Sequence, residues 1–140
     1  MGRRERDALA QVPLFQGLPP RHLRRIADLA KEERLMEGAT IVKSGEPGDS
    51  FYVILEGEAK VVNESGRTIN RVLPSDYFGE ISLIDGGPRT ATVIAETPMT
   101  VLTLERSGFR RVIESEPEVA VKILASIATM LRRLQRSTTG

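Results

Sequence analysis

Hydrophobic positions change their period twice along the chain. From about Pro19 to Glu37, Leu23, Ile26, Ala27 and Ala30 recur at the i, i+3, i+4, i+7 spacing of one buried helical face, and Leu29 widens it. Pro19-Pro20 supplies the start signal, so a mostly helical segment is predicted there, with a shorter helix before it around Leu9. Between Gly38 and Glu105 the texture becomes short apolar runs: Thr40–Val42, Phe51–Leu55, Ala59–Val62, Ile69–Leu73, Thr90–Ile94 and Met99–Leu104. Gly45-Glu-Pro-Gly48, Glu56-Gly-Glu58, Ser65-Gly66, Pro74-Ser-Asp76, Asp85-Gly-Gly-Pro88 and Thr97-Pro98 separate them with turn chemistry. Six or more strands at this spacing predict a barrel or sandwich.

After Glu105 the helical period returns. Ser107 can cap a short helix that carries Phe109, Val112 and Ile113 on one side, and Ser115-Glu-Pro-Glu118 has capping-box spacing with a proline in the first turn. The helix it opens, over about 116–136, is roughly 30 Å long. Ala120, Ile123, Leu124, Ile127, Met130, Leu131 and Leu134 form a wide apolar stripe along it. The stripe can cover a core, meet a second chain or cap a ligand. Ser137 to Gly140 read as a frayed tail. The organisation is one domain over 1–140: a helical segment to residue 37, a β region over 38–105, and closing helices over 106–136.

Composition narrows the chemistry. The 140 residues, 40% of them apolar, suffice for one modest core. Twenty basic against nineteen acidic residues leave a net charge of +1, so no general field attracts nucleic acid or an acidic membrane, and any anion site must be local. No run approaches the roughly 20 apolar residues of a spanning helix. Cysteine is absent, which removes disulfides and thiolate chemistry and fits a cytoplasmic setting. The single histidine, His22, lies beside Arg21 and Arg24 and reads as a solvated surface residue, not a metal ligand.

The stretch FGEISLIDGGPRTATV, residues 78–93, carries the most pointed chemistry. Gly79 allows backbone geometry in which the following N–H groups converge on one concavity, a nest for an anion. Glu80 beside such amides suits a ligand that also offers hydroxyl donors. Arg89, nine positions on, presents a planar fork for two phosphate oxygens. Together they describe a phosphorylated ribose, and one arginine balances the single charge of a cyclic diester. The competing reading is an ordinary surface ion pair between Glu80 and Arg89, worth about 0–1 kcal/mol. No Walker loop, GxGxxG, GxSxG or paired histidines provide catalytic machinery.

These residues resemble the cyclic nucleotide-binding domain shared by catabolite activator-type bacterial regulators, cyclic-nucleotide-dependent protein kinases and cyclic-nucleotide-gated channels. The likeness spans Pro13-Leu-Phe-Gln-Gly-Leu18, Gly45-Glu-Pro-Gly-Asp-Ser-Phe-Tyr-Val-Ile54, Glu56-Gly57 and the cassette at 78–93. It implies a mainly β fold with flanking helices: an antiparallel β-roll, of jelly-roll type, between N-terminal and C-terminal helices. It also implies a non-enzymatic sensor that needs no cofactor or metal and takes cAMP, or cGMP, as ligand. Phe78, Gly79, Glu80, Ile81, Ser82, Pro88, Arg89, Thr90 and Ala91 would bind it. Glu80 would accept the ribose 2′-hydroxyl's hydrogen bond, Arg89 would hold the exocyclic phosphate oxygens, and Gly79, Ile81 and Ser82 would contribute backbone groups. Thr90 stands where a threonine is associated with guanine recognition in some members, so cGMP stays open while cAMP is favoured. Ser75 replaces a frequent glycine and Ser82 a frequent alanine or glycine; neither removes a ligand group.

The resemblance makes the 116–136 helix the output element, with Leu131 or Leu134 as candidate base cap and a homodimer through this helix as a candidate assembly. The partners expected are the cyclic nucleotide and an unknown protein effector, with no direct nucleic acid contact and no membrane span. The chain ends about where the family's second domain would begin, which fits either a free-standing sensor or a fragment. Two rivals come from other classes. A cupin-like enzyme needs a metal set that one histidine cannot supply. An adaptor barrel that has lost its ligand would have little use for a buried guanidinium without an anion.

Overall fold

The computed structural model describes residues 3–139, with side chains to 136; Met1, Gly2 and Gly140 lie outside it. The chain forms two compact units, one made of Leu29–Phe109 and the other of the segments on either side.

The Leu29–Phe109 unit holds eight antiparallel strands: β1 Lys31–Leu35, β2 Thr40–Val42, β3 Ser50–Glu56, β4 Ala59–Val62, β5 Thr68–Val72, β6 Tyr77–Phe78, β7 Thr92–Ala95 and β8 Met99–Glu105. They make two four-stranded sheets, β1-β8-β3-β6 and β2-β7-β4-β5. A buried cluster joins Ile54, Met99 and Val101 of the first sheet to Ala59, Val72, Val93 and Ala95 of the second. Ile54 and Val101 are direct cross-strand partners, and Met99 lies two residues along on the same face. Each such buried aliphatic side chain contributes about 1.5–3 kcal/mol of transfer free energy. This is the β-roll, interrupted by one short helix between β6 and β7.

Five of the six predicted strands fall within a residue of their observed bounds; the run at Thr90–Ile94 starts later, at Thr92. Three elements depart from the sequence reading. The helical reading of 31–37 is corrected: the helix ends at Ala27, and Lys31–Leu35 is an edge strand paired with β8 from Lys31↔Thr103 to Leu35↔Met99. Its charges are exposed and blunt the open edge. Local helix propensity is overruled by main-chain pairing with a strand some seventy residues on. The β region therefore begins at 31, not 38. The short strand β6 and a helix inside the cassette, α3 Glu80–Asp85, went unread because each is too short to show a period. Ser75, the one non-glycine with positive φ (79°) among the described residues, explains why glycine is frequent there.

The second unit contains α1 Arg3–Ala10, a 3-10 turn at Pro13–Phe15 and α2 Pro20–Ala27. Next comes α4 Arg106–Ser115, which straddles the division, and then α5 Pro117–Thr139. Buried residues of this unit include Leu9, Val12, Leu14, Phe15, Ile26, Ala27, Val112, Val119 and Ile123. The capping box is corrected: Ser115 ends α4 and its hydroxyl donates to the Val112 carbonyl. Residues 137–139, read as frayed, continue α5.

His22 is also corrected. It is 4% exposed, not solvated. Its Nε2 is 3.2 Å from Glu118 Oε2 and its Nδ1 3.4 Å from Glu116 Oε1, while Arg21 and Arg25 pair with the same two carboxylates. A carboxylate only accepts, so the Nε2 proton donates to Glu118. That bond, with the Arg21 guanidinium second, holds the Glu118 carboxyl below its ordinary range. The sequence showed the arginines beside His22 but not the acids ninety-odd residues away.

Candidate functional site

A cavity of about 510 Å³ opens in the Leu29–Phe109 unit. All nine residues singled out from the sequence line it: Phe78, Gly79, Glu80, Ile81, Ser82, Pro88, Arg89, Thr90 and Ala91. Leu131 and Leu134 belong to the other unit, where they are 56% and 64% exposed on α5.

Gly79 makes the local geometry. It takes φ 91°, a left-handed conformation open to glycine, and caps α3. Leu83 is the first amide to bond back, to the Gly79 carbonyl at 3.0 Å. The Glu80, Ile81 and Ser82 amides are thus first-turn donors without an intrahelical acceptor. The helix closes at Gly86, whose N–H donates to the Ser82 carbonyl. The Asp85 carboxylate then accepts from the Gly87 amide at 2.7 Å.

The loop Gly45-Glu-Pro-Gly48 fastens the far side of this turn. Gly45 N–H donates to the Arg89 carbonyl, Arg89 N–H to the Glu46 carbonyl and Gly48 N–H to the Gly87 carbonyl, at 2.8–2.9 Å. A Cβ on Gly48 would overlap the Ser82 side chain and the Gly87 carbonyl. The two glycine-rich motifs, separated by some forty residues, are thus one structure.

Arg89 is 8% exposed. Its Nη2 donates to the Ser50 carbonyl at 2.6 Å, its Cζ lies 5.9 Å from the Tyr52 ring centroid, and no carboxylate pairs with it among the described residues. The surface ion-pair reading therefore fails: Glu80 and Arg89 border one cavity but form no salt bridge. A buried cation held only by a carbonyl and a ring is under-compensated and favours an anion from solution. The surrounding unit opposes any long-range pull, since it carries eight Lys/Arg against thirteen Asp/Glu. Attraction is confined to Arg89 and the nearby amides.

Val42, Val61 and Val93 make an apolar wall to the cavity, and Tyr77 adds an aromatic one. The valines are cross-strand partners, Val42↔Val93 and Val61↔Val93. Their convergence depends on long-range register, so no local pattern marked them; Ser50 and Tyr52, which brace Arg89, lay in the 45–54 motif but without an assigned role. Burial pushes the Tyr77 phenol up, with the Glu80 and Asp76 carboxylates adding to it. Among the described residues no cluster of His, Asp and Glu could hold a metal, and no helix is long and apolar enough to cross a membrane.

The cavity of this β-roll is thus lined together by an apolar wall, a buried arginine and the first-turn residues of α3. A family model described as cyclic nucleotide-binding domain matches residues 32–116, and the chain belongs to that family. It is similar to a cAMP-dependent protein kinase regulatory subunit of Colletotrichum orbiculare, 38% identical over 108 residues, 76% of this chain and 28% of the relative. It is also similar to a CRP-like cAMP-activated global transcriptional regulator of Mycobacterium tuberculosis, 31% identical over 131 residues, 91% of this chain and 58% of the relative. The chain thus spans between about a quarter and three-fifths of these curated relatives. Among solved structures, the N-terminal domain of a transcriptional regulator from Streptomyces coelicolor superposes with a TM-score of 0.84 at 34% identity over 96% of both chains. The Thermus thermophilus catabolite activator protein superposes with 0.69 at 28% identity over 91% of this chain and 62% of that one.

Proposed function

We propose that this chain is a regulatory module, not a catalyst, that binds a cyclic nucleotide in the 78–91 cassette, with cAMP the favoured ligand and cGMP the alternative. The observation that carries the reading is Arg89, buried with no carboxylate partner among the described residues, at the wall of a cavity also lined by the first turn of α3 and by valines. One cation matches the single charge of a cyclic diester better than the two charges of a 5′-monophosphate. The phosphate sits against Arg89 and the α3 amides, Glu80 accepts from the ribose 2′-hydroxyl, and the valine wall takes the base. Thr90, exposed at the rim, is the residue through which a guanine would be preferred. That both curated relatives are named for cAMP supports the choice of base. The adaptor reading gives that buried cation no purpose.

Calorimetric titration with cAMP, cGMP, cyclic CMP, 5′-AMP and 2′-deoxy-cAMP tests this. The expected order places cAMP first and 5′-AMP at least tenfold weaker. 2′-Deoxy-cAMP should bind less well than cAMP to the native chain and equally well to Glu80→Ala. Equal affinity for cAMP and 5′-AMP, or no binding at all, would sink the reading.

The closing helix is the output element in this reading, and it pairs with a second copy. Ala120, Leu124, Ile127, Leu131 and Leu134 alternate at four- and three-residue spacings, the seam of a coiled coil. Leu124, Leu131 and Leu134 are each more than half exposed. One of the latter two remains the candidate base cap. Sedimentation should give a dimer that Leu124→Glu with Leu131→Glu dissociates; a monomeric native chain would refute the pairing. The module belongs in the cytoplasm, signals to a protein effector, and works as one domain from residue 1 to 140.

A further inference from the structure

Tyr52 lies on β3, outside the residues that line the cavity. Its cross-strand partner on β6 is Phe78, the first residue of the cassette. The two rings stack at 4.9 Å between centroids and 17° between planes, and the Tyr52 ring also carries the Arg89 guanidinium. The cation is therefore enclosed on three sides. Nη2 is tied to the Ser50 carbonyl, Nη1 lies where a Cβ on Gly79 would come within 2.6 Å, and the aromatic face takes the third.

The choice of an aromatic face has a consequence for binding. A carboxylate in the same place would neutralise the guanidinium and compete with the ligand's anion. A ring attracts the cation through its quadrupole and leaves the net charge intact. With Nη2 bonded to the Ser50 carbonyl and Cζ 5.9 Å from the ring centroid, the guanidinium is restrained from two directions.

We propose that Tyr52 is the positioning residue for Arg89. Its ring, braced by Phe78, keeps an unneutralised guanidinium turned to the cavity and so sets the affinity for the anionic part of the ligand without touching it. The proposal rests on the cyclic-nucleotide reading of the cavity. Burial pushes the Tyr52 phenol up against the opposing effect of the Ser50 hydrogen bond and Arg89, which keeps the ring neutral. The working part is the ring, not the hydroxyl.

A double-mutant cycle on the full chain separates this role from general packing, with cAMP as the probe in calorimetry and competition assays. Tyr52→Leu should weaken cAMP about threefold to tenfold, the range for a partly desolvated cation–π contact. Tyr52→Phe, which keeps the ring, should stay within about twofold of native on the same basis. In an Arg89→Gln background, Tyr52→Leu should cost nothing further, because the cation it orients is gone. Equal losses in the two backgrounds, or a Phe variant as weak as the Leu variant, would overturn the role of Tyr52 while native binding still upholds the cavity reading. Failure of the native chain to bind cAMP or cGMP would remove both. If Tyr52→Leu lowers the melting temperature, Tyr52→Met, closer in bulk, replaces it in the cycle.

Discussion

Arg89 and Arg71 lie in the same unit and meet opposite fates. Arg71, on β5, is more than half exposed and grips Glu96 with two nitrogens, Nε at 2.8 Å and Nη2 at 3.4 Å. Its charge is answered within the chain. Arg89 is buried and, among the described residues, answered only by a carbonyl and a ring. The residue type is the same; what differs is whether the fold brings a carboxylate to the guanidinium. An exposed pair contributes little to stability and nothing to recognition. A buried cation left without its anion is poised to take one from solution.

Substitution at the two positions should separate these roles. The largest effect is expected at Arg89: Arg89→Ala should weaken cAMP by roughly tenfold to a hundredfold, the loss of a charge-assisted hydrogen bond worth about 1.5–3 kcal/mol. Native-like affinity in calorimetry would place the phosphate elsewhere. Close behind comes Gly79→Ala, which forces a side chain into φ 91° and against Arg89 Nη1 and the Ser50 carbonyl. The conformational strain alone costs about 1–2 kcal/mol. Thermal melting should record that loss, and cAMP affinity should fall with it, since the same atoms hold the fork; an unchanged melting temperature would contradict the geometry.

The smallest effect belongs to Arg71. Arg71→Met should leave cAMP affinity unchanged and show itself only in the pH dependence of stability. Hydrogen bonding to Arg71 lowers the Glu96 carboxyl below its unfolded value. Its stabilising effect is therefore present above the ordinary carboxylate range and disappears as pH falls through the lowered folded value. The variant should be slightly less stable than the native chain near neutrality and converge with it at strongly acid pH. A pH-independent difference in melting temperature would show that the ion pair is not the cause.

Much of the site was legible because it is locally encoded. The run 78–91 supplies the glycine for the left-handed turn, the acid, the arginine and the small residues within fourteen positions, and all nine named residues reach the cavity. The strands read well where apolar runs were bounded by glycine, proline or asparagine-type turns. The misreadings share one cause. Lys31–Leu35 looked helical and became a strand because β8 was there to pair with it. His22 looked solvated and is buried because Glu116 and Glu118 come to it.

By itself, then, the sequence determined which residues could do the chemistry: a glycine free to take positive φ, an arginine fork, a carboxylate and valines spaced for strands. Those are properties of single residues and short windows. Only the tertiary structure decided that Arg89 is buried without a carboxylate, that Tyr52 and Ser50 hold it, that Gly45–Gly48 fastens the cassette, and that three valines meet across β2, β7 and β4. The reason is register. Strand pairing brings together atoms dozens of residues apart, and a shift of one residue would turn every one of those side chains to the opposite face.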